Sequence, residues 1–406
     1  MKASTHSSSG HALTHGMVLL MSVATGIAVA GNYYAQPLLN TIATEFGVSF
    51  AQAGGIVTTA QLSYGAGLLL LVPLADLLEQ RRLIVVMSML AALGLLLSGF
   101  APSLPWLLAG TALTGLCSVV AQVLVPFAAT LAEPEQRGRV VGTVMSGLLL
   151  GILLARTAAG ALSSIAGWRA VYWAAALLMF FTALALALTM PRYRQNVGLS
   201  YSRLLASVVM LFKQEPVLRL RALLGMLSFA LFSLFWTPLA FFLAEPPYGY
   251  SDATIGLFGL VGAAGALAAS WAGRLADRGR GVAATQLGLL GLLLAWLPLG
   301  FAPVSLLSLL AGVLLLDLAV QMVHVSNQNA IYKLRPEARN RLNAGYMTCY
   351  FIGGSFGSWL SANLYQNHGW MGVTIAGVAL ALLGVAIGMA GLRLQARPAS
   401  NPGNRG

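Results

Sequence analysis

Charged side chains are scarce in this chain. Asp, Glu, Lys and Arg make up 8% of its 406 residues, where soluble domains run near ~25%. That excludes an ordinary soluble globular protein. Cysteine is nearly absent too: Cys117 and Cys349 both lie inside apolar runs, so no disulfide framework is indicated. No cluster of His, Cys and acidic residues has metal-ligand spacing. No Gly-rich loop is followed by Lys-Ser/Thr, and no loop is long enough for an ATPase domain. No catalytic constellation is present either. These absences argue against an enzyme, a metal site and any cofactor. Energy for work must come from an ion gradient or from a substrate itself.

Apolar sequence is what the chain has instead: 58% of it is hydrophobic. Runs of about 20 residues, each enough to cross ~30 Å of hydrocarbon as a helix, fall at roughly 17–38, 51–75, 83–101, 105–131, 140–162, 169–190, 222–244, 253–275, 283–301, 304–331, 342–366 and 370–392. They lack the period-2 alternation of a barrel strand, and helices leave no backbone group unpaired in lipid. Ala28-Val29-Ala30 looks like a signal cleavage site. Cleavage there would remove the first span, which has a counterpart later in the chain.

The net charge of +12 would suggest nucleic acid in a soluble chain. Its distribution gives another meaning. Nearly all of the 23 Lys and Arg fall in the termini or in the loops after even-numbered spans, whereas Glu45, Glu245 and Asp252 sit on the Arg-poor side. This is the positive-inside pattern. It places both termini in the cytoplasm and removes the reason to invoke nucleic acid. Only Arg156 lies well inside a span.

The second half repeats the first at an offset of 201–202 residues. Pro134-Glu135-Gln136-Arg137-Gly138-Arg139 with Gly167-Trp168 returns as Pro336-Glu337-Ala338-Arg339-Asn340-Arg341 with Gly369-Trp370. Leu74-Ala75-Asp76 returns as Leu275-Ala276-Asp277, and Pro37-Leu38 as Pro238-Leu239. The fold class expected is an all-α membrane protein with twelve transmembrane helices in two pseudo-symmetric six-helix bundles. The division is a cytoplasmic tail over 1–16, bundles over 17–190 and 222–392, a basic cytoplasmic linker over 191–221, and a tail over 393–406. The middle of the linker, about 200–213, reads either as a helix on the anionic inner leaflet or as a plain tether. Repeated bundles in a membrane protein point to a transporter with its site between them.

The acidic-basic loops after spans two and eight, with the basic middle loop, resemble the major facilitator superfamily. That family's signature after the second helix runs Gly-x-x-x-Asp-Arg-x-Gly-Arg-Arg. Here Asp76, Arg81 and Arg82 match it in the first copy, and Gly273, Asp277 and Arg278 in the second. Span five resembles the motif of the family's proton-coupled exporters at Gly142, Gly151 and Gly160, with Ala155 and Ala159 for two glycines and Arg156 in place of a proline. The resemblance implies two halves that rock about a central site lined by helices 1, 4, 7 and 10. It implies a bacterial inner-membrane transporter, and we expect it to act as a monomer on a small-molecule substrate, with protons and membrane lipid as its other partners.

Span ten carries the sharpest local signal. Asp317, Gln321, His324 and Gln328 fall within about 60° of one another on a helix, a polar stripe on an apolar rod. An ionised carboxylate mid-membrane costs at least ~2.5 kcal/mol, so Asp317 should face protein or water. Asp317 is the expected proton acceptor with His324 assisting, or the stripe is a structural hydrogen-bond network. Asn32, Tyr33 and Gln36 precede Pro37, and Trp236 precedes Thr237-Pro238, at matching repeat positions. Proline-interrupted helices at such positions point to a binding site. Gln122 occupies the repeat position of His324. Arg156 binds an anionic group, pairs with Asp317, or snorkels outward. Helix packing explains each of these residues equally well. The aromatic run Phe229, Phe232 and Phe235 reads as core or lipid-facing rather than as a site.

Gating falls to Asp76, Asp277, Arg81, Arg82, Arg137, Arg139, Arg278, Arg339 and Arg341 at the basic helix ends. Such pairs can form in one orientation and break in the other, although topogenic charge also accounts for most of the arginines. The glycines Gly147, Gly151, Gly262, Gly353 and Gly357 serve either packing within a bundle or a sliding contact between bundles. The reading is a proton-coupled exporter of small amphipathic organic compounds, drug-like or sugar-like. The alternative is a symporter or uniporter importing a small, possibly anionic metabolite. More remotely, the chain is a non-transporting membrane sensor.

Overall fold

The computed structural model describes residues 14–194, 200–266, 280–335 and 338–396. Its helices, in order, are α1 (His15–Ala30), α2 (Leu39–Phe46), α3 (Phe50–Leu70), α4 (Gln80–Gly99), α5 (Leu104–Cys117), α6 (Val120–Leu131), α7 (Arg137–Ala166) and α8 (Trp168–Thr189). There follow α9 (Tyr201–Gln214), α10 (Pro216–Trp236), α11 (Leu239–Ala244), α12 (Asp252–Ala266), α13 (Gly281–Gly300), α14 (Leu306–Tyr332) and α15 (Arg339–Ala396). Among the described residues nine helical stretches are long and apolar enough to cross a bilayer. One of them, within α15, is interrupted by non-helical Gly369 and makes two spans. Two shorter apolar helices, α1 and the start of α12, join them.

Local chemistry explains where the helices begin and break. Ser49 and Gln52 close a reciprocal capping box at the start of α3, which satisfies two otherwise orphaned donors. Pro37 and Pro238 cannot donate a backbone hydrogen bond. The first span accordingly breaks between α1 and α2, with a single 3-10 turn at Gln36–Leu38, and the seventh breaks between α10 and α11. The repeated Gly-Trp pairs have one physical cause. Gly167 has φ 81°, ψ 159° and Gly369 φ 58°, ψ −157°, a region essentially reserved for glycine. Each lets the chain turn sharply from one span into the next.

Large apolar side chains cover the outside as well as the core: Leu149, Leu150, Leu154, Phe180 and Phe181 are exposed. That is the pattern of a bundle solvated by lipid rather than by water. Within the first half α4 packs on α8 and α1 on α7; within the second, α10 packs on α15 and α13 on α14. The halves meet along two seams, α3 against α15 and α7 against α12.

One expectation is corrected here, and one alternative is decided. The linker expected over 191–221 would hold Arg221, but α10 begins at Pro216 and carries Arg221 inside it, buried, donating from Nη1 to Thr285 Oγ1 (2.7 Å) and Asn327 Oδ1 (3.2 Å). A buried cation of this kind must be held by polar neighbours, a condition that the sequence did not reveal. The glycine pairs also divide by role. Gly147 and Gly151 lie against Ser22 and Gly26 of α1, and Gly353 and Gly357 against Met226 and Ala230 of α10. All four are contacts within a half. The close approach between halves falls instead at Gly160 and Gly256, which let α7 and α12 touch backbone to backbone.

Candidate functional site

The proline breaks place the central polar residues. Tyr33 and Gln36 sit on the irregular turn before α2, and Trp236 is the last residue of α10. Arg156 of α7 reaches between them. Its Nε donates to Gln36 Oε1 at 2.5 Å. Its guanidinium carbon lies 4.1 Å from the centroid of Trp236, 4.9 Å from Tyr33 and 5.7 Å from Phe232. Trp236 uses its other functional part as well: Nε1 donates to Asp317 Oδ1 at 3.1 Å. Arg156 is 5% exposed and Asp317 7%. The snorkelling alternative for Arg156 is thus not what the structure adopts, and among the described residues no ion pair joins it to Asp317. The indole contacts both groups, Arg156 over its face and Asp317 at its N–H edge.

Buried opposite charges that are not in contact still attract where the dielectric is low. A cation over an indole face is itself stabilised, by up to ~2 kcal/mol or more when desolvated. The arrangement is nevertheless incomplete. Arg156 Nη2 is buried without a hydrogen-bond partner among the described residues, as are both amide atoms of Asn32. A small cavity of about 10 Å³ adjoins Arg156, Gln36 and Trp236, room for about one water. In this conformer the site is shut.

Helix α12 supplies a further part of the site. Gly259 lies under the Arg156 side chain, and Gly262 against Asp317 Oδ2 and Trp236. A side chain at Gly262 would collide with the Asp317 carboxylate, and one at Gly259 would press on the Arg156 side chain. Phe232, too, was set aside as core or lipid-facing, yet it lies beside the guanidinium. Its neighbours Phe229 and Phe235 are buried in the core.

The polar stripe of α14 divides. Asp317 belongs to the Arg156 group. His324 Nδ1 is 3.1 Å from Tyr346 Oη, and its ring centroid is 4.7 Å from that of Tyr350, which stacks on Phe229 at 4.1 Å. Gln321 is half-buried between them. Gln328 donates to Asn343 Oδ1 at 3.4 Å, an oxygen shared with Tyr332 Oη at 2.9 Å. Gln122 donates to Tyr64 Oη at 3.4 Å. The structure therefore brings Tyr33, Gln36, Arg156, Trp236 and Asp317 into one cluster and leaves His324, Gln328 and Gln122 in separate networks.

At the Arg-poor end the halves are clasped. Asp252, in the first turn of α12, accepts from Thr41 Oγ1 (2.8 Å) and Ser163 Oγ (2.7 Å), both of the first half. Phe50 stacks on Phe241 at 4.5 Å, and its backbone N–H donates to Gln366 Oε1 at 2.9 Å. At the Arg-rich end Asp76 is half-buried. Arg81 donates to the Met190 carbonyl (3.2 Å), Arg137 to that of Ala132 (3.4 Å) and Arg339 to that of Tyr332 (3.2 Å). Arg82 and Arg139 are exposed and Arg341 half-buried. Among the described residues no ion pair links the halves at that end. Asp277 and Arg278 lie outside the described residues.

An all-helical membrane chain built of two packed halves, with a buried site between them and, among the described residues, a hydrogen-bonded clasp at the Arg-poor end, is a membrane transporter. The sequence profile of the Major Facilitator Superfamily matches residues 21–286 and 248–406, and the chain belongs to that superfamily. It is 56% identical over 385 residues to the uncharacterized transporter YgaY of Escherichia coli O157:H7, covering 95% of this chain and 98% of that one. It is 32% identical over 370 residues to the probable transporter SCO4007 of Streptomyces coelicolor, covering 89% and 85% respectively. Among solved structures, a bacterial homolog to the human lysosomal transporter Spinster, in an inward-facing and occupied conformation, superposes with a TM-score of 0.78 at 15% identity, over 95% of this chain and 98% of that chain.

Proposed function

We propose that this transporter exports small amphipathic organic compounds in exchange for protons, by alternating access of the site around Arg156, Trp236 and Asp317. One observation carries the reading: a buried carboxylate of one half is tied through Trp236 to a buried guanidinium of the other. A substrate that offers a hydrogen-bond donor or a positive charge to Asp317 competes with a proton for the same oxygen atoms. That competition is what exchange requires, since each occupant must leave before the other binds. Tyr33, Phe232 and Trp236 supply flat apolar area with polar edges, suited to an amphipathic molecule. Asn32, Gln36 and Gln321 add amide groups around it, and His324 assists proton movement from its place farther along α14.

The scaffold for this reading is two bundles over 17–190 and 222–392, set in a bacterial inner membrane with the termini and linker in the cytoplasm. The arginine distribution supports that orientation. The Arg-poor clasp then closes the periplasmic side, and the acidic and basic residues of the other end serve the opposite gate. We take the protein to work as a monomer.

The experiment uses purified protein in liposomes with a pH-sensitive dye inside, a panel of cationic drugs, sugars and organic anions, and Asp317→Asn as control. Substrate-triggered proton movement opposite to the substrate, lost in Asp317→Asn, is the expected result. Substrate movement without proton movement would sink the Asp317 mechanism. A second reading has its own observation, the unpartnered Arg156 Nη2. An anionic substrate would bind there when Asp317 is protonated and the guanidinium uncompensated, so proton and substrate would travel together. The sign of the proton flux separates the two. Arg156→Gln would then lose anion transport first.

A further inference from the structure

The linker helix α9 encloses a cavity with the junction between α14 and α15. Its volume is about 350 Å³, and its lining includes Arg203, Ser207 and Met210 from α9 and Arg335, Ala338 and Arg341 from the junction. That volume is at the small end of clefts that enclose small ligands, roughly 300–1,000 Å³. Three guanidinium groups from separate elements converge on it. Arg335 is neutralised by Glu215, with Nε 2.7 Å from the carboxylate. Arg203 and Arg341 have no carboxylate within ion-pair distance among the described residues. Asp76 attracts Arg341 only from farther away. Among the described residues that line the cavity, the three guanidiniums outnumber the carboxylates paired with them.

The position of α9 says which anion suits it. Leu204, Val208 and Leu211 face inward and are buried. Val208 and Phe212 lie over Gly345 of α15, where any side chain would meet them. Tyr201 Oη donates to the Leu70 carbonyl (2.8 Å) at the end of α3, so the helix touches both halves. Its outer face leaves Val209 57% and Met210 50% exposed, beside Arg203 and Lys213. A short amphipathic helix with apolar and cationic groups on its outward side, just where α8 and α10 leave the apolar layer, belongs in the interface of a bilayer. A free anion would need the guanidinium groups alone. The exposed Val209 and Met210 fit a ligand that carries acyl chains as well as a phosphate.

We propose that this cavity binds the phosphate of an anionic phospholipid headgroup, with Arg203 and Arg341 as its ligands and the acyl chains laid along Val209 and Met210. The phosphate oxygen atoms accept charge-assisted hydrogen bonds from the two guanidiniums. The bound headgroup ties the linker helix to the start of α15 in the second half.

The test is native mass spectrometry of the full-length detergent-purified protein, with phosphatidylglycerol and phosphatidylcholine of matched chains added at equal concentration. The wild type should retain phosphatidylglycerol in preference. Arg203→Ala and Arg341→Gln should each reduce that preference roughly fivefold, the effect of one basic residue near an anionic surface. Circular dichroism and gel filtration confirm that each variant is folded, and loss of the preference in either folded variant supports the site. An unchanged preference in both overturns it. Displacement of phosphatidylglycerol by millimolar inorganic phosphate also overturns it, because the cavity would then recognise a free anion.

Discussion

Arg156 and Asp317 belong to opposite halves of the chain and share one indole: the guanidinium lies 4.1 Å from the Trp236 ring centroid while the Trp236 N–H donates to the carboxylate at 3.1 Å. One side chain thus contacts a buried cation with its face and a buried carboxylate with its N–H.

Trp236→Phe keeps an aromatic face for Arg156 but removes the donor to Asp317. Leaving a buried acceptor unsatisfied costs ~1–3 kcal/mol. The expected outcome is a changed pH midpoint of transport with substrate affinity largely retained, whereas Trp236→Ala loses both. Initial transport rates across a pH series distinguish the two variants. Identical profiles for wild type and Trp236→Phe would remove the indole N–H from the coupling.

Asp252 clasps α2 and α7 from the second half through Thr41 and Ser163. Hydrogen bonds to a charged group contribute ~1.5–3 kcal/mol, so Asp252→Ala should shift the equilibrium at least ~10-fold toward opening of the Arg-poor end. Spin labels at Thr44 and Ser251 report the separation directly. The variant should show a longer or broader distance distribution, and an unchanged one would mean that the apolar contact of Phe50 with Phe241 suffices.

The glycine contacts should separate folding from switching. Gly151→Leu forces α7 away from α1 within one half and should lower the yield and thermal stability of the protein. Gly256→Leu strikes the backbone of α7 at Arg156 and Thr157 across the seam between halves. It should leave each half folded but prevent closure of the Arg-poor end. Thermal unfolding measured beside label accessibility tells these outcomes apart.

Glu45 lies beyond the membrane spans and accepts hydrogen bonds from Arg169 and Trp168. Burial is the largest single influence and pushes its carboxyl up, but those two hydrogen bonds and the Arg169 charge together hold it below its ordinary 4.5. A depressed folded value means stability that is present above the unfolded value and lost as pH falls through the folded one. Glu45→Gln should therefore melt lower than wild type at neutral pH, and the difference should shrink as the pH drops below about 4. A gap that stays constant with pH would show that the contact is not ionic.

Much of the site was legible in the sequence. Asp317 announced itself by being ionisable in an apolar run, and Tyr33, Gln36 and Trp236 by standing before prolines at matching repeat positions. Arg156 was visible as the cation inside a span. Its partner was not, because a cation and a carboxylate on different helices invite an ion pair, and nothing in the linear order shows that one indole contacts both. The sequence does not place Phe232 and Gly262 at the site for a related reason: an aromatic or small residue gives no sign of what approaches it. Arg221 was misplaced because a charge a few residues from the end of an apolar run looks like a loop residue until helix packing buries it.

The sequence by itself determined the helical membrane fold, since apolar runs of bilayer length have no other way to satisfy their backbone. It also determined the two-fold design, because the repeated Gly-Trp and Pro-Leu pairs carry backbone requirements that no tertiary contact can waive. Only the tertiary structure decided which polar residues meet. The α14 stripe lies on one face in sequence, yet its members are three to eleven positions apart, or roughly 4.5–16.5 Å along the axis at 1.5 Å per residue. Each therefore answers to whichever neighbouring helix crosses at its own depth.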